Sequence, residues 1–302
     1  MNLRIASVLF AAFLFGCKIS SAALQRYESD STGMPGFRDY SLMYSNYYSG
    51  IGYANVTHRD FATSPLFYDA SAVSVNMGWP RVKEKSRREI GIEALAGISS
   101  ARVPMKTEYI VISSSGIYSG NVHFDYLRKR NFPKLKSETW FGLSLQSRFN
   151  FRINSDLGNN GSGIEALANL MASGRIEKDF SKKAGEGKAF LFFKRKKDVY
   201  RMLCFQINAG FLNFNYRPGY AYSGFSEFNG SQTNGLQFLL ANHSWSLNGF
   251  RINTKLEWIL NKKNKYSDRW VYSWDLIHAP GKYERFQMVV HTFTYSMLLF
   301  RK

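Results

Sequence analysis

The chain has 302 residues, of which 16% are aromatic, a formal net charge of +18 and two cysteines, Cys17 and Cys204. Two cysteines exclude a disulfide-stapled scaffold, and the lack of a second apolar run of about 18 residues beyond the N-terminus excludes a bundle of spanning helices. A soluble protein with 25 Phe, 18 Tyr and 6 Trp would hide them in a core, whereas a membrane barrel shows them to lipid and keeps a polar interior.

The first residues, Met1-Asn2-Leu3-Arg4, precede an apolar run from Ile5 to Gly16 and small residues at Ser20, Ser21 and Ala22. This is the pattern of a secretory signal peptide cut after Ala22, with an apolar core too short to span as a helix. Leu14-Phe15-Gly16-Cys17 also approximates a lipobox, which would leave a lipidated Cys17, although Phe15 and Lys18 fit that alternative poorly. Cleavage removes Arg4 and Lys18, lowers the net charge by two to +16, and leaves Cys204 as a packed apolar side chain. Residues 23–302 then read as a single domain with no linker and no repeat of fixed period.

Residues 23–37 form a loose leader, and Tyr40 to Val56 is a first strand rich in Tyr, Ser and Gly. Val73, Val75, Met77 and Trp79 share one side of the next strand, which Pro80 and a basic turn close. Ile90, Ile92, Ala94, Ala96 and Ile98 then alternate with Glu89, Gly91, Glu93 and Gly97. A fourth strand spans Thr107 to Arg128 and leads through a second basic turn to the longest alternation, Trp140 to Asn154. There Phe141, Leu143, Leu145, Phe149 and Phe151 oppose Ser144, Gln146, Arg148, Asn150 and Arg152. Ile164 to Ile176 fits either a short helix or a strand; a strand is expected, because so short a helix cannot span and an even-stranded barrel needs a return here.

Two further strands are expected around Ala189–Phe193 and Val199–Tyr216. Leu236 to Leu247 is expected to turn at Asn248-Gly249, a two-residue hairpin signal, into Ile252–Leu260. Basic residues Lys262, Lys263 and Lys265 precede Trp270–Leu276, and Pro280-Gly281 precedes Phe286–Phe300. The expectation is an all-β transmembrane antiparallel barrel of about 12 strands, with both termini on one side. A 10-strand version follows if 188–216 is one strand and 234–247 belongs to an external loop.

With its leader, amphipathic strands, basic turns and terminal strand, the chain resembles Gram-negative outer-membrane β-barrel proteins, most like uncharacterised barrels common in the Bacteroidetes. The departure is at the end, where Arg301 and Lys302 follow Phe300 in place of a terminal aromatic. The resemblance implies residence in the bacterial outer membrane, contact with outer-membrane lipids and lipopolysaccharide, and handling by the barrel-assembly machinery. It implies a non-enzymatic pore or envelope component.

The basic charge has three readings. Turn residues can meet lipid phosphates at the membrane surface. Arg148, Arg152, Arg251 and Lys255 lie on polar strand faces and are expected in the lumen, where they either favour anionic solutes or pair with Glu89, Glu93, Glu257 and Asp275. Nucleic-acid binding is the third, and export with no binding motif argues against it. The alternative function is a lipid-modifying hydrolase such as a phospholipase or lipid A deacylase, which would need a Ser–His pair. His123 and Asp125 share a strand face without a partnered Ser, and His243 and Ser244 point to opposite faces, so His123, Asp125 and His243 are candidates without a constellation. No cofactor fingerprint and no Cys/His metal spacing is present in the sequence.

Overall fold

The computed structural model describes residues 47–60, 64–104, 110–130, 132, 137–154, 162–181, 188–190, 193–194, 200–218, 243–261, 266–280 and 285–299. The signal-peptide, lipobox and leader readings lie outside these residues, as does most of the 234–247 strand. In chain order the strands are β1 (Tyr47–Asp60), β2 (Ser64–Val82), β3 (Ser86–Pro104), β4 (Ile110–Arg130), β5 (Glu138–Ile153), β6 (Ser162–Asp179), β7 (Lys188–Phe190), β8 (Phe193–Lys194), β9 (Tyr200–Pro218), β10 (His243–Ser246), β11 (Phe250–Asn261), β12 (Tyr266–Pro280) and β13 (Arg285–Leu299). No described helix is long and apolar enough to cross a membrane.

Ten of these strands close into an antiparallel barrel in the order β1-β2-β3-β4-β5-β6-β9-β11-β12-β13, with β13 returning to β1. The tilt can be read from the register. Starting at Ile176 on β6, the row of paired residues runs Phe205, Leu256, Tyr272, Phe293, Tyr53, Val73, Ala96, Tyr118 and Phe151, and comes back to β6 at Ile164. One circuit therefore climbs from residue 176 to residue 164, a shear of 12. For ten strands at ordinary spacings this corresponds to a tilt of about 40°. Every member of that circuit is apolar or aromatic, and every one faces outward.

Alternation explains the arrangement. On β5, Phe141, Leu143, Leu145 and Phe149 are 48–52% exposed, whereas Ser144, Gln146, Arg148 and Asn150 are at most 2% exposed. The barrel is thus apolar outside and polar inside, the reverse of a water-soluble domain. From Phe141 to Phe151 the apolar face runs ten residues, which at this tilt makes a belt about 25 Å tall. Aromatic clusters mark its two margins: Tyr47 with Trp79, and Phe180 with Trp258, toward the end holding Tyr47 and Leu299; Trp245 against Phe214 and Tyr216, and Phe250 against His278, toward the other.

The ambiguous segment at 164–176 is strand β6, and its odd positions from Glu165 to Glu177 are the buried ones. Of the two strand counts expected, about 12 and ten, the barrel has ten, with the short β10 in addition. Among the described residues the expected strand at 189–193 does not join the barrel: β7 and β8 pair there with each other, Lys188 with Lys194 and Phe190 with Phe193.

The expected hairpin at Asn248-Gly249 is also corrected. Ser246 pairs with Asn215 and Ile252 with Ala209, so six residues forward on one side match six back on the other. β10 and β11 therefore follow one line along β9, and the chain does not reverse between them. Gly249 has φ +87°, the left-handed conformation its sequence signal anticipates, but it is used for an interruption in the ladder. Asn215 Nδ2 donates to Asn248 O at 2.6 Å and Asn213 Nδ2 to Gly249 O at 3.0 Å, replacing the ladder bonds lost there.

Candidate functional site

The inward face of the barrel holds a stack of charged and amide side chains that reach one another across the interior. At the level of Asp60, on the last position of β1, its carboxylate accepts from Arg152 of β5 at 2.6 Å and from Arg217 of β9 at 2.9 Å. Arg152 also pairs with Glu165 of β6. Both guanidiniums lie against the ring of Phe286, at 5.1 and 5.5 Å from its centre. An apolar cluster that includes Val56, Leu95, Ile117, Leu167, Phe286 and Met288 fills the neighbouring space.

Deeper in the barrel, Asp275 of β12 accepts from Arg148 of β5 at 2.9 Å and from Arg251 of β11 at 2.7 Å. Arg251 extends onward to Asn121 of β4 and Asn169 of β6, at 3.1 and 3.2 Å. Asp125 of β4 takes hydrogen bonds from Ser144 at 2.5 Å and from Gln206 of β9 at 2.9 Å.

Nearer the end that holds Tyr47 and Leu299 the pairs become a continuous network. Glu257 of β11 holds Arg175 of β6 at 3.0 Å and Arg269 of β12 at 2.9 Å. Arg175 also reaches Glu177, which Arg87 of β3 contacts at 3.1 Å, and Arg87 pairs with Glu89 at 3.0 Å. Tyr48 of β1 donates to Glu89 at 3.1 Å beneath the Arg269 guanidinium. A second apolar cluster, with Leu127, Trp140, Met202, Cys204 and Ile259, packs at this end, and Cys204 is buried in it without a disulfide.

Among the buried and half-buried inward residues described, Arg87, Lys129, Arg148, Arg152, Arg175, Arg217, Arg251, Lys255 and Arg269 stand against Asp60, Glu89, Glu93, Asp125, Glu138, Glu165, Glu177, Glu257 and Asp275, nine cations to nine carboxylates. The interior is balanced, so the excess positive charge of the chain lies elsewhere. Taking a guanidinium out of water costs several kcal/mol, which only well-placed carboxylates and amides offset. That accounts for each carboxylate at the centre of these groups serving two cations.

The four basic residues picked from strand parity all lie on the inward face. Arg148 and Arg251 meet at Asp275, whereas Arg152 takes Asp60 and Glu165. Lys255 lies 3.4 Å from His123 Nε2, which is itself 3.8 Å from Glu89. His123 and Asp125 share the inward face but have different partners. His243 sits on β10, paired with Pro218 of β9, whereas His123 sits on β4. Asp60, Glu165, Glu177, Arg87, Arg175, Arg217 and Arg269 were not singled out from the sequence. Parity would have found most of them, because each shares its strand's inward phase.

Gly91 pairs with His123 across β3 and β4, and a β-carbon there would overlap the imidazole. Gly91→Ala is expected to lower stability by about 1–3 kcal/mol through this overpacking. Urea unfolding midpoints would show it, and adding His123→Ala should return most of the loss.

No family model matches the chain, and no curated protein does. Among solved structures, the outer membrane protein opdK of Pseudomonas aeruginosa is similar at 7% identity and a TM-score of 0.16, over 83% of this chain and 99% of that one. OccAB4 of Acinetobacter baumannii is similar at 9% identity and a TM-score of 0.16, over 83% and 97%. OpdL of Pseudomonas aeruginosa is similar at 6% identity and a TM-score of 0.14, over 84% and 99%. Likenesses at these scores carry no weight for function, and the closed antiparallel barrel rests on its own strand pairing.

Proposed function

We propose that this chain is an outer-membrane β-barrel whose lumen is closed by its own ion pairs, serving as a non-enzymatic structural or assembly component of the envelope. The observation that carries the reading is the inversion of polarity: an unbroken outward circuit of apolar side chains around a charge-balanced interior. A contiguous belt of that size is not kept in water by a monomeric protein, and its height suits a hydrocarbon layer. The cross-barrel pairs Arg148–Asp275, Arg217–Asp60 and Arg152–Asp60 occupy the path that a solute would need. The anion-selective pore is the less favoured form, since an anionic solute would have to displace carboxylates already bound to each arginine. The hydrolase alternative draws no support from His123, whose partners are Glu89 and Lys255 inside the barrel.

The test is reconstitution from detergent into planar bilayers, with heat-modifiable gel migration as the check on folding. The folded protein is expected to insert without steady conductance steps. Stable, anion-preferring channels from the unaltered protein would contradict the closed-lumen reading.

A further inference from the structure

We propose that the outer wall at the barrel end holding Tyr47 and Leu299 carries a site for the phosphate of an anionic glycerophospholipid, formed by Arg81, Arg88 and Arg128 around Tyr126. This rests on the membrane reading above and adds a ligand to it. The three arginines are exposed and face outward on β2, β3 and β4. Arg81 is directly paired with Arg88, and Arg88 with Tyr126. Like charges placed opposite each other on a sheet repel. Here the repulsion is built into two adjacent strands.

Tyr126 holds the geometry. The Arg88 guanidinium lies 5.2 Å from its ring centre, and Arg128 Nε donates to its hydroxyl at 3.2 Å. Two planar forks are thereby held at one phenol, an arrangement suited to phosphate oxygens. Among the described residues flanking the cluster on the outer face, Trp79, Ile90, Phe124 and Phe141 are apolar and none is acidic; the nearby carboxylate in sequence is Glu84, in the turn between β2 and β3. Charge at the rim and an apolar wall beside it match a lipid that has a phosphate head and acyl chains, better than they match a free anion.

The wider charge distribution agrees. Segments 83–85, 131–137, 180–199 and 262–265, which join strands at this end, hold fourteen Lys and Arg against three Asp and Glu. Segments 61–63, 105–109, 155–161, 219–242 and 281–284, which join strands at the other, hold two against four. In an even-stranded outer-membrane barrel the end where the first strand starts and the last strand finishes, here Tyr47 and Leu299, faces the periplasm, where the leaflet phosphates are those of glycerophospholipids.

The experiment is native mass spectrometry of the full folded chain in micelles containing equal phosphatidylglycerol and phosphatidylcholine. Insertion into phosphatidylcholine vesicles is measured separately for each variant. The protein should retain phosphatidylglycerol in preference, and Arg88→Gln with Arg128→Gln should reduce that preference by about fivefold for each cation lost. Lys178→Gln, a change to an exposed cation elsewhere at this end, should leave the preference intact. Equal retention of both lipids, or an unaltered preference in the double variant, would overturn the site while insertion upheld the membrane reading. Displacement of the lipid by millimolar inorganic phosphate would identify a free-anion site and overturn the lipid assignment. Failure of the unaltered protein to insert would remove the membrane reading and the site with it.

Discussion

Changing Asp60 to Ala is expected to destabilise the folded barrel by about 3–5 kcal/mol, the cost of breaking a buried ion pair from one side. Asp60 is 1% exposed and bonds two arginines from strands four places away in the ring, Arg152 on β5 and Arg217 on β9. Its loss takes from the two guanidiniums the carboxylate they share; Arg152 keeps Glu165, and Arg217 keeps the Ala279 carbonyl at 2.7 Å. An exposed pair would be worth no more than about 1 kcal/mol, so the size of the effect discriminates between a dry interior and a wet one. The urea midpoint in detergent or vesicles measures it. Adding Arg217→Met to Asp60→Ala restores the charge count and should recover a large part of the loss, since the two positions share one network. A midpoint unchanged by Asp60→Ala would mean that water fills this level of the barrel.

Leu145→Arg should impair insertion by about 2–4 kcal/mol. Leu145 is 51% exposed on the outer face, between Phe124 of β4 and Leu170 of β6, and lies near the middle of the belt that Phe141 and Phe151 bound. An arginine there has no inward partner and must either face hydrocarbon or drag water to itself. The adjacent Gln146 is 1% exposed on the opposite face and donates to Ser144 at 3.3 Å. Gln146→Leu should therefore leave insertion nearly unchanged. Folding yield into phospholipid vesicles, followed by gel migration before and after heating, reads both variants. A normally inserted Leu145→Arg protein would show that this face does not meet lipid.

Much of the wall was legible because period-two alternation is a local property. Trp140–Asn154, Glu89–Ile98 and Ile252–Leu260 announce both the strand and its polar side, and the structure puts those polar sides inward. The partners of the polar residues were not legible. Whether Arg152 meets Asp60 or Asp275 is decided by the shear, which accumulates over ten registers and appears in no single segment. The sequence therefore offered Glu89, Glu93, Glu257 and Asp275 as equal choices, and omitted Asp60 and Glu165 because one ends a strand and the other lies in the segment that also reads as a helix.

Asn248-Gly249 failed for a different reason. The dipeptide reports a tolerance of positive φ, and Gly249 uses it, but reversal also requires the next strand to pair back on the preceding one. Asn213 and Asn215 on β9 supply the bonds that let the chain continue forward instead. At 188–194 the expectation of a stave fails, since the described strands there, Lys188–Phe190 and Phe193–Lys194, are too short to cross a belt about 25 Å tall.

The central claim, that the outward face of β5 crosses a lipid layer, is tested most directly by spin labels placed one at a time at 141, 143, 145, 149 and 151. The protein would carry Cys17→Ala and Cys204→Ala and be reconstituted in vesicles, and the relative accessibility of each label to oxygen and to a water-soluble nickel chelate would give its depth. The predicted result is a depth profile that peaks at 145 and falls toward 141 and 151. Labels equally open to the nickel chelate at all five positions would contradict a membrane-spanning barrel.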